Sequence, residues 1–534
     1  MNCENRGGKS RRGTTSYGPT VGCGKKKCFR RTAAAVLLLL SMLVTSLAGC
    51  TSGRPSDNTT DGMKTTALRG ADEEPDTDDG TTDYRTGYKK GMTLPDEMPV
   101  LRIDTDGGAA VSSKTEYVSG SASLDEPTGR FCFSERGLSL RCRGNWTYWG
   151  TGYAKKSYRL KFDSKVNLLG IERGASKNWV LLANFADRSL VRTAAAFAAA
   201  GVASGIGYVP SSAWVRLILN GRDLGAYQLC GQTQIGKWRI DISDDPETVD
   251  SDYLIELDSR ARLSEWTGGN CFEAGGRRFV IKNDAFHPDS AAFLKEYFGR
   301  VFAALGGGNE EEICAIIDID SFTDMYLLQE FVKNLDVGWS SFYLVKKAGG
   351  KLYLTCPWDM DLTFGNYGAY GGDSPDGLFV GNPDYAGTDN ANPLFSALCG
   401  CDFFVNEKVP ERFALIGGQM RDAAVAEIER LYAAYADEFE DNFRIWQVLG
   451  SRVDPCPPAV WSIDSVGGNV GFLVDFINRR YGYLAEYFAL PEKPSDGFAD
   501  APVRSVLPYD SCKKLPYNAK VQKIPSQSQS GLYR

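Results

Sequence analysis

The sequence predicts an α+β fold, strand-rich in its first half and helix-rich in its second, and three observations carry that expectation. Between residues 100 and 258, short apolar stretches bounded by Gly, Asn, Asp or Ser follow one another in the manner of strands. Beyond residue 290 the apolar spacing becomes helical. The composition is globular over residues 94–490, about 400 residues, enough to bury a sizeable core in one large or two fused lobes.

The first expected strands are Val100–Asp104, Leu138–Arg143, Ser157–Asp163 and Trp179–Phe185. A helix from Ser189 to near Ala203 follows, with Asp187 or Ser189 as its cap and an alanine-rich body that suits close approach to a sheet. Asn220-Gly221, the pair preferred in type I′ turns, joins Ala213–Leu219 to Leu224–Cys230 as a hairpin. Strands at Trp238–Ser243 and Asp252–Asp258 close this half. Helices are expected from Ser290 to about Leu305, from Phe322 to Lys333 with Ser321 and Asp324 spaced as a capping box, and after Glu407, Gln419 and Val470. A hairpin, Phe342–Lys347 with Lys351–Thr355, turns through Gly349-Gly350.

The ends differ in character. Basic residues at 25–27, 30 and 31 precede an apolar run, Ala33 to Leu47, that ends Leu47-Ala48-Gly49-Cys50. This resembles a bacterial lipoprotein signal peptide over residues 1–49, with Cys50 as the lipidated first residue of the mature chain and the lipid as its membrane attachment. Residues 50–93 read as an acidic, disordered tether, and residues 491–534 as a disordered tail. Removing residues 1–49 takes away nine of the 60 Lys+Arg and one of the 67 Asp+Glu, leaving a formal charge of −15. So acidic a chain argues against nucleic acid as a partner. Oligomeric state is not legible.

Composition also limits the chemistry. With His287 as the single histidine, in a stretch that reads as a loop before a helix, multi-histidine zinc sites are excluded. Ten cysteines lie beyond Cys50 without a CxxC pair, which disfavours metal binding and leaves any disulfide pairing open. The ten tryptophans and 25 tyrosines are scattered through expected core strands, where packing accounts for them better than carbohydrate binding.

The most informative stretch is Trp358-Asp359-Met360-Asp361, two carboxylates at a strand exit among bulky apolar residues. Such a pair calls for a cation. Upstream, Asn334-Leu335-Asp336 ends an apolar helix, so the order is helix, Asp, hairpin, Asp-x-Asp. A protein-kinase catalytic segment is laid out in this way, with one carboxylate orienting the attacking hydroxyl and another holding Mg²⁺ against ATP phosphates. Each of these residues also has a purely structural reading, as a turn or strand-end residue.

Taken with Arg143-Gly144-Asn145, Lys155-Lys156-Ser157-Tyr158-Arg159-Leu160-Lys161, Trp179 to Ser189, Leu219-Asn220-Gly221 with Tyr227, Arg239-Ile240-Asp241 and Ser341-Phe342-Tyr343, these motifs make the chain similar to the CotH kinase family, spore-coat-associated proteins with an atypical protein-kinase-like fold. The resemblance spans nearly all of residues 98–490 and implies a two-lobed kinase-like domain. It implies ATP with Mg²⁺ or Mn²⁺ as cofactors and Ser or Thr of a surface or secreted protein as substrate. Asp336 would be the catalytic residue, Asp359 and Asp361 metal ligands, and Lys161 or Lys156 with Arg143 the phosphate-facing cations. Alternation along the strand sets Lys161 beside Arg159, opposite Tyr158 and Leu160.

Two positions depart from the family pattern. Ser341 stands five residues after Asp336, where kinases place a metal-binding Asn, and a hydroxyl is the weaker ligand. Gly231 occupies the region after Tyr227 where the family carries a Glu that orients the lysine, with Gln232, Gln234 or Glu256 as stand-ins. Two functions follow: a lipid-anchored extracytoplasmic kinase, or a kinase-like surface binding module with little turnover.

Overall fold

The computed structural model describes residues 87–89, 91–150, 153–259, 269–382, 388 and 391–489. The expected leader, Cys50, most of the tether and the tail lie outside the described residues, which all belong to one compact unit. Among the described residues no helix is long and apolar enough to cross a membrane, and the nine described cysteines are free thiols.

The first half closes into a barrel. Its strands are β1 (Val100–Thr105), β2 (Val118–Asp125), β3 (Phe133–Arg143), β4 (Ser157–Val166), β5 (Ser176–Leu182), β6 (Ser212–Leu219) and β7 (Arg222–Gly231), with a helical turn α1 (Trp146–Trp149) before β4 and α2 (Arg192–Ala200) before β6. The order β1-β2-β3-β4-β5-β7-β6 is completed by parallel pairing of β1 with β6, which leaves no open sheet edge. Alternate residues, among them Leu101, Leu140, Leu160, Phe162, Trp179, Leu217 and Tyr227, fill the interior. Asn220 and Gly221 turn the β6–β7 hairpin with φ of 51° and 73°, as their pairing in a type I′ turn requires.

The second half has its own sheet. Strands β8 (Tyr253–Leu257), β9 (Cys271–Ala274), β10 (Arg277–Ile281), β11 (Phe342–Lys346) and β12 (Leu352–Thr355) run antiparallel in the order β12-β11-β8-β10-β9. Around them lie α3 (Ser290–Gly307), α4 (Glu310–Ile316), α5 (Ile319–Val332), α6 (Pro393–Leu398), α7 (Val409–Trp446), α8 (Pro458–Trp461) and α9 (Val466–Tyr487). The α+β order is as the sequence predicts.

Three local expectations change. Trp238–Ser243 is not a strand: only an isolated bridge joins Ile240 to Ile235, because the Arg239 side chain turns inward to donate to the Gln232 carbonyl (3.2 Å). Helix α5 begins earlier, capped by Asp318, which accepts from the Ser321 amide (3.0 Å). Asp324, the expected capping-box partner of Ser321, instead takes Arg412 Nε at 2.6 Å. The helices expected after Glu407 and Gln419 are one 38-residue helix, α7. Gly417 does not break it, since that position leaves room for the Phe413 ring, 2.7 Å from where a Cβ would lie.

Helix α7 ties the halves together. Trp446 Nε1 donates to the Leu224 carbonyl (3.0 Å) and Glu438 accepts from the Met98 amide (3.2 Å). Lys155, fully buried just before β4, donates to Asn442 Oδ1 (2.9 Å) and to the carbonyls of Ala183 (3.0 Å) and Ala226. No carboxylate pairs with it in these contacts, and burial holds its pKa well below the ordinary lysine value.

A buried ion pair fastens the segment that follows the acidic motif. Glu330 of α5 and Arg480 of α9 meet at 2.7 Å with neither side chain exposed. Glu330 accepts from the amides of Phe379 and Gly381 (2.9 Å to the latter), while Arg480 donates to the carbonyls of Pro375 (3.0 Å) and Gly377 (2.6 Å). Lys333 adds bonds to the carbonyls of Gly371 (3.0 Å) and Asp376 (2.7 Å). Replacing Arg480 with Met strands the Glu330 carboxylate in the core, so chemical denaturation should show a loss of roughly 3–5 kcal/mol, accompanied by faster proteolysis near residues 371–381.

Candidate active site

Alternation at the exit of β12 decides where the acidic motif points. Trp358, Met360 and Phe364 are buried, with Phe364 edge-on to Phe331 (5.4 Å between centroids) and Trp358 stacked on Phe197 (6.3 Å). Asp359 and Asp361 consequently face a pocket that Asp336, Arg143, Gly144, Asn145 and Ser157 also line. Asp359 is held with φ of 51°, a left-handed conformation uncommon outside glycine, and Cys356, Phe364 and Ser341 share that strain nearby.

Short polar links fix the acidic turns. Ser341 Oγ donates to Asp359 Oδ2 (2.8 Å). Asn366 Nδ2 donates to the Asp361 carbonyl (2.7 Å) and to that of Ala186 (3.2 Å), which binds the acidic turn to the loop before α2. Lys333 ends α5 at φ of 51°, and Asn334 then accepts from the Asp336 amide (3.1 Å), so Asp336 is the second residue of a 3₁₀ turn, Leu335–Gly338. In that earlier loop Asp187 is fully buried: it pairs with Arg192 and accepts from the amides of Ser189 (3.0 Å) and Arg192 (2.8 Å). It organises the approach to α2, the structural role that the sequence allowed it.

The electrostatics are those of crowded carboxylates. Burial, then the neighbouring charges of Asp359, Asp336 and Asp187, push the Asp361 carboxyl up to about 7. Among the described residues no group of three or more acidic, His or Cys side chains is placed to hold a metal alone. Two carboxylates and a hydroxyl nonetheless fit Mg²⁺ or Mn²⁺, hard cations commonly held by one or two carboxylates with phosphate and water completing the shell.

The candidate cations divide. Arg143 lines the pocket, its guanidinium 5.3 Å from the Trp358 ring centre. Lys156 turns away to the carbonyls of Thr147 (3.3 Å) and Tyr148 (3.0 Å). Lys161 is exposed midway along β4, outside the lining. The strand register instead sets Arg159 next in line: Arg141, Arg159, Val180 and Cys230 oppose one another across β3, β4, β5 and β7. Arg159 is half-buried and its Nε has no hydrogen-bond partner. The period-2 signal was legible on β4, but neither outward residue, Arg159 or Lys161, is among those that line the pocket.

The expected lysine–glutamate pairing also lands elsewhere. Glu256 of β8 is buried and binds Lys282, just past β10, at 2.9 Å. The space above Gly231 is filled by Glu172, whose Oε1 lies 2.1 Å from where a Cβ would be. Burial raises the Glu172 pKa although Arg239 Nε stands 3.8 Å away, and its carboxylate accepts from Tyr208 OH (3.1 Å). Gln232 and Gln234 make no carboxylate-like contact with a lysine of β4 in these bonds.

The raised Asp361 pKa has a definite sign. The folded, metal-free chain keeps a proton that the unfolded chain releases between about pH 4 and 7, so ionising Asp361 removes stability as pH rises through that window. Asp361→Asn should therefore raise the melting temperature of the metal-free protein at about pH 8, with a gain that shrinks toward pH 4; an equal gain at both would contradict the crowding.

A family model described as CotH kinase protein matches residues 140–484, well over half of the chain. A search of curated proteins finds no match. The matched span opens within β3 beside Arg143, takes in the acidic turn and the buried Glu330–Arg480 anchor, and ends in α9. The chain belongs to the CotH kinase family.

Proposed function

We propose that the protein is an ATP- and Mg²⁺-dependent protein kinase, anchored by lipid at Cys50 to the outer face of the cytoplasmic membrane, that phosphorylates Ser or Thr of a surface or secreted protein. The observation that carries this reading is the convergence of Asp336, Asp359, Asp361 and Arg143 on one pocket, from a helix end, a strand exit and the barrel. Family membership supports it.

The roles follow from the placement. Asp336, one turn beyond α5, is the group to receive the hydroxyl proton as the substrate oxygen bonds to the γ-phosphorus and the bond to the ADP oxygen breaks. Asp359 and Asp361 are the residues to hold Mg²⁺, which when bound neutralises phosphate charge. Arg143 faces the phosphates.

One observation favours a second reading, a nucleotide-binding surface module with little turnover: Ser341 stands in for Asn, and its hydroxyl is already committed to Asp359.

The test is transfer of labelled phosphate from ATP by the purified chain with Mg²⁺ or Mn²⁺, to itself and to a Ser-rich protein. Asp336→Ala should lower turnover roughly 10²–10⁴-fold while leaving nucleotide binding largely intact, and Asp359→Ala should abolish metal-dependent binding measured by calorimetry. No transfer and no metal-dependent binding by the native chain would remove the kinase reading; binding without transfer would select the module. Because residue 341 has φ of 59°, a conformation Asn tolerates well, Ser341→Asn should fold normally and tighten Mg²⁺.

A further inference from the structure

Strands β4 and β5 run antiparallel, and the acidic pocket takes Ser157 from the start of one and Leu182 from the end of the other. Their opposite ends collect positive charge. There Lys165 of β4, Lys177 and Asn178 of β5, and Lys237 and Arg239 beyond β7 line a separate cavity of about 250 Å³. It shares no residue with the acidic pocket, and the described residues that line it include four cations and no carboxylate. In a chain of formal charge −7 this lining is one-sided, and a cavity walled by one sign of charge concentrates its field.

Arg239 is the buried member of the set, with only 3% of its side chain exposed. Its Nη1 donates to the Gln232 carbonyl (3.2 Å), while Nε stands 3.8 Å from Glu172 Oε1, too far for a hydrogen bond. Glu172 is engaged by the Tyr208 hydroxyl (3.1 Å), and Arg239 Nη2 has no hydrogen-bond partner. A buried guanidinium N–H without an acceptor is costly. Asn178 Oδ1, in the same lining, is a buried acceptor without a donor. The cations come together because Gly174 lets the loop after β7 close over the turn before β5: Trp238 Nε1 lies 2.1 Å from where a Cβ on Gly174 would be. Trp238 itself stays 39% exposed, with the Lys237 ammonium 4.7 Å from its ring centre.

We propose that this cavity binds a phosphoserine or phosphothreonine already placed on the protein substrate, with Arg239 as the central donor and Lys165, Lys177 and Lys237 around it. The proposal rests on the kinase reading, which supplies that phosphate. A phosphoryl group brings close to two negative charges and three acceptor oxygens, a better match for four cations around one small cavity than a carboxylate with a single charge. It gives Arg239 Nη2 its acceptor. The Asn178 oxygen is suited to a main-chain N–H of the same peptide, which a free phosphate ion does not offer, and the Trp238 ring offers flanking residues an apolar face. Asn178 and Leu182 lie on one face of β5, four residues apart, about 13 Å at the rise of a strand. At least about four residues of extended substrate therefore separate the bound phosphate from the edge of the acidic pocket. A substrate modified once is held while a second hydroxyl enters that pocket.

The test gives the purified chain three forms of one Ser-rich peptide: with a single phosphoserine, with Asp in its place, and unmodified. Calorimetry is run with a metal chelator present, so that no cation at the acidic pocket can recruit the phosphate. The phosphoserine form should bind about 10–100-fold more tightly than the other two, the worth of one or two charge-assisted contacts. Lys165 and Lys237 are exposed, so the double variant Lys165→Gln, Lys237→Gln should melt as the native chain does and lose most of that preference. Arg239→Lys should lose it too. Where transfer from ATP is seen, the double variant should raise KM for the phosphoserine peptide with kcat unchanged, and leave both constants for the unmodified peptide as they are. Equal affinity for all three forms, or a phosphoserine preference that survives in both variants, would overturn the proposal. An Asp form bound as tightly as the phosphoserine form would also overturn it, in favour of a site for acidic side chains. Neither result touches the kinase reading, which Asp336-dependent transfer decides separately. Selective phosphoserine binding without any transfer from ATP would keep the site and remove the kinase reading.

Discussion

Everything at the pocket is arranged around one electrostatic constraint: several carboxylates sit together where little water reaches them. Asp361 shows the strain directly, its carboxyl pushed up to about 7 by burial and by Asp359, Asp336 and Asp187. Like charges at short range in a poorly solvated site repel strongly. The fold compensates by giving two of these acids a fixed donor and by pinning the backbone of a third. Arg192 is assigned to Asp187, the Ser341 hydroxyl to Asp359, and Asn366 locks the backbone between Asp361 and Ala186. Left-handed backbone at Ser341, Cys356, Asp359 and Phe364 is the local cost of holding that arrangement.

The compactness of the rest serves the same end. Helix α2 is buried along its whole length, and its alanines permit the close approach that brings Asp187 and Thr193 beside the acidic turn. Helix α7 reaches from the helical half to the β6–β7 hairpin, where Gly225, at φ of 75°, leaves room for Asn442 and so for the bond to buried Lys155. Polar side chains inside a protein are expensive unless paired. Lys155, with three oxygen acceptors and the Tyr227 ring at 4.2 Å, is a joint between barrel and helices rather than a chemical group of the pocket.

Local signals in the sequence account for much of this. Asn220-Gly221 announces its hairpin, alternation gives the faces of β4, and the apolar residues around Asp359 and Asp361 imply that the acids point the other way. Long-range facts are absent from such signals. Closure of the barrel depends on β1 meeting β6, more than 100 residues away, and nothing local encodes that pairing. Lys161 and Arg159 look equivalent in sequence, and only the folded barrel distinguishes them, leaving Lys161 exposed and Arg159 half-buried. Gly231 reads as a missing acid, whereas the volume above it holds the acid of Glu172, 59 residues earlier in the chain.

The anchoring of residues 371–381 bears on how such a protein diverges. Arg480 and Lys333 hold that segment by its carbonyls, and Glu330 holds it by its amides. Main-chain groups are the same whatever side chain they carry, proline's missing N–H aside. Exposed residues of the segment can therefore be exchanged widely without disturbing the grip, its glycines at 371, 372, 377 and 381 aside, whereas the three residues that hold it cannot. Drift in the loop would thus register as sequence variability, and the positional constraint would appear far away, on two helices.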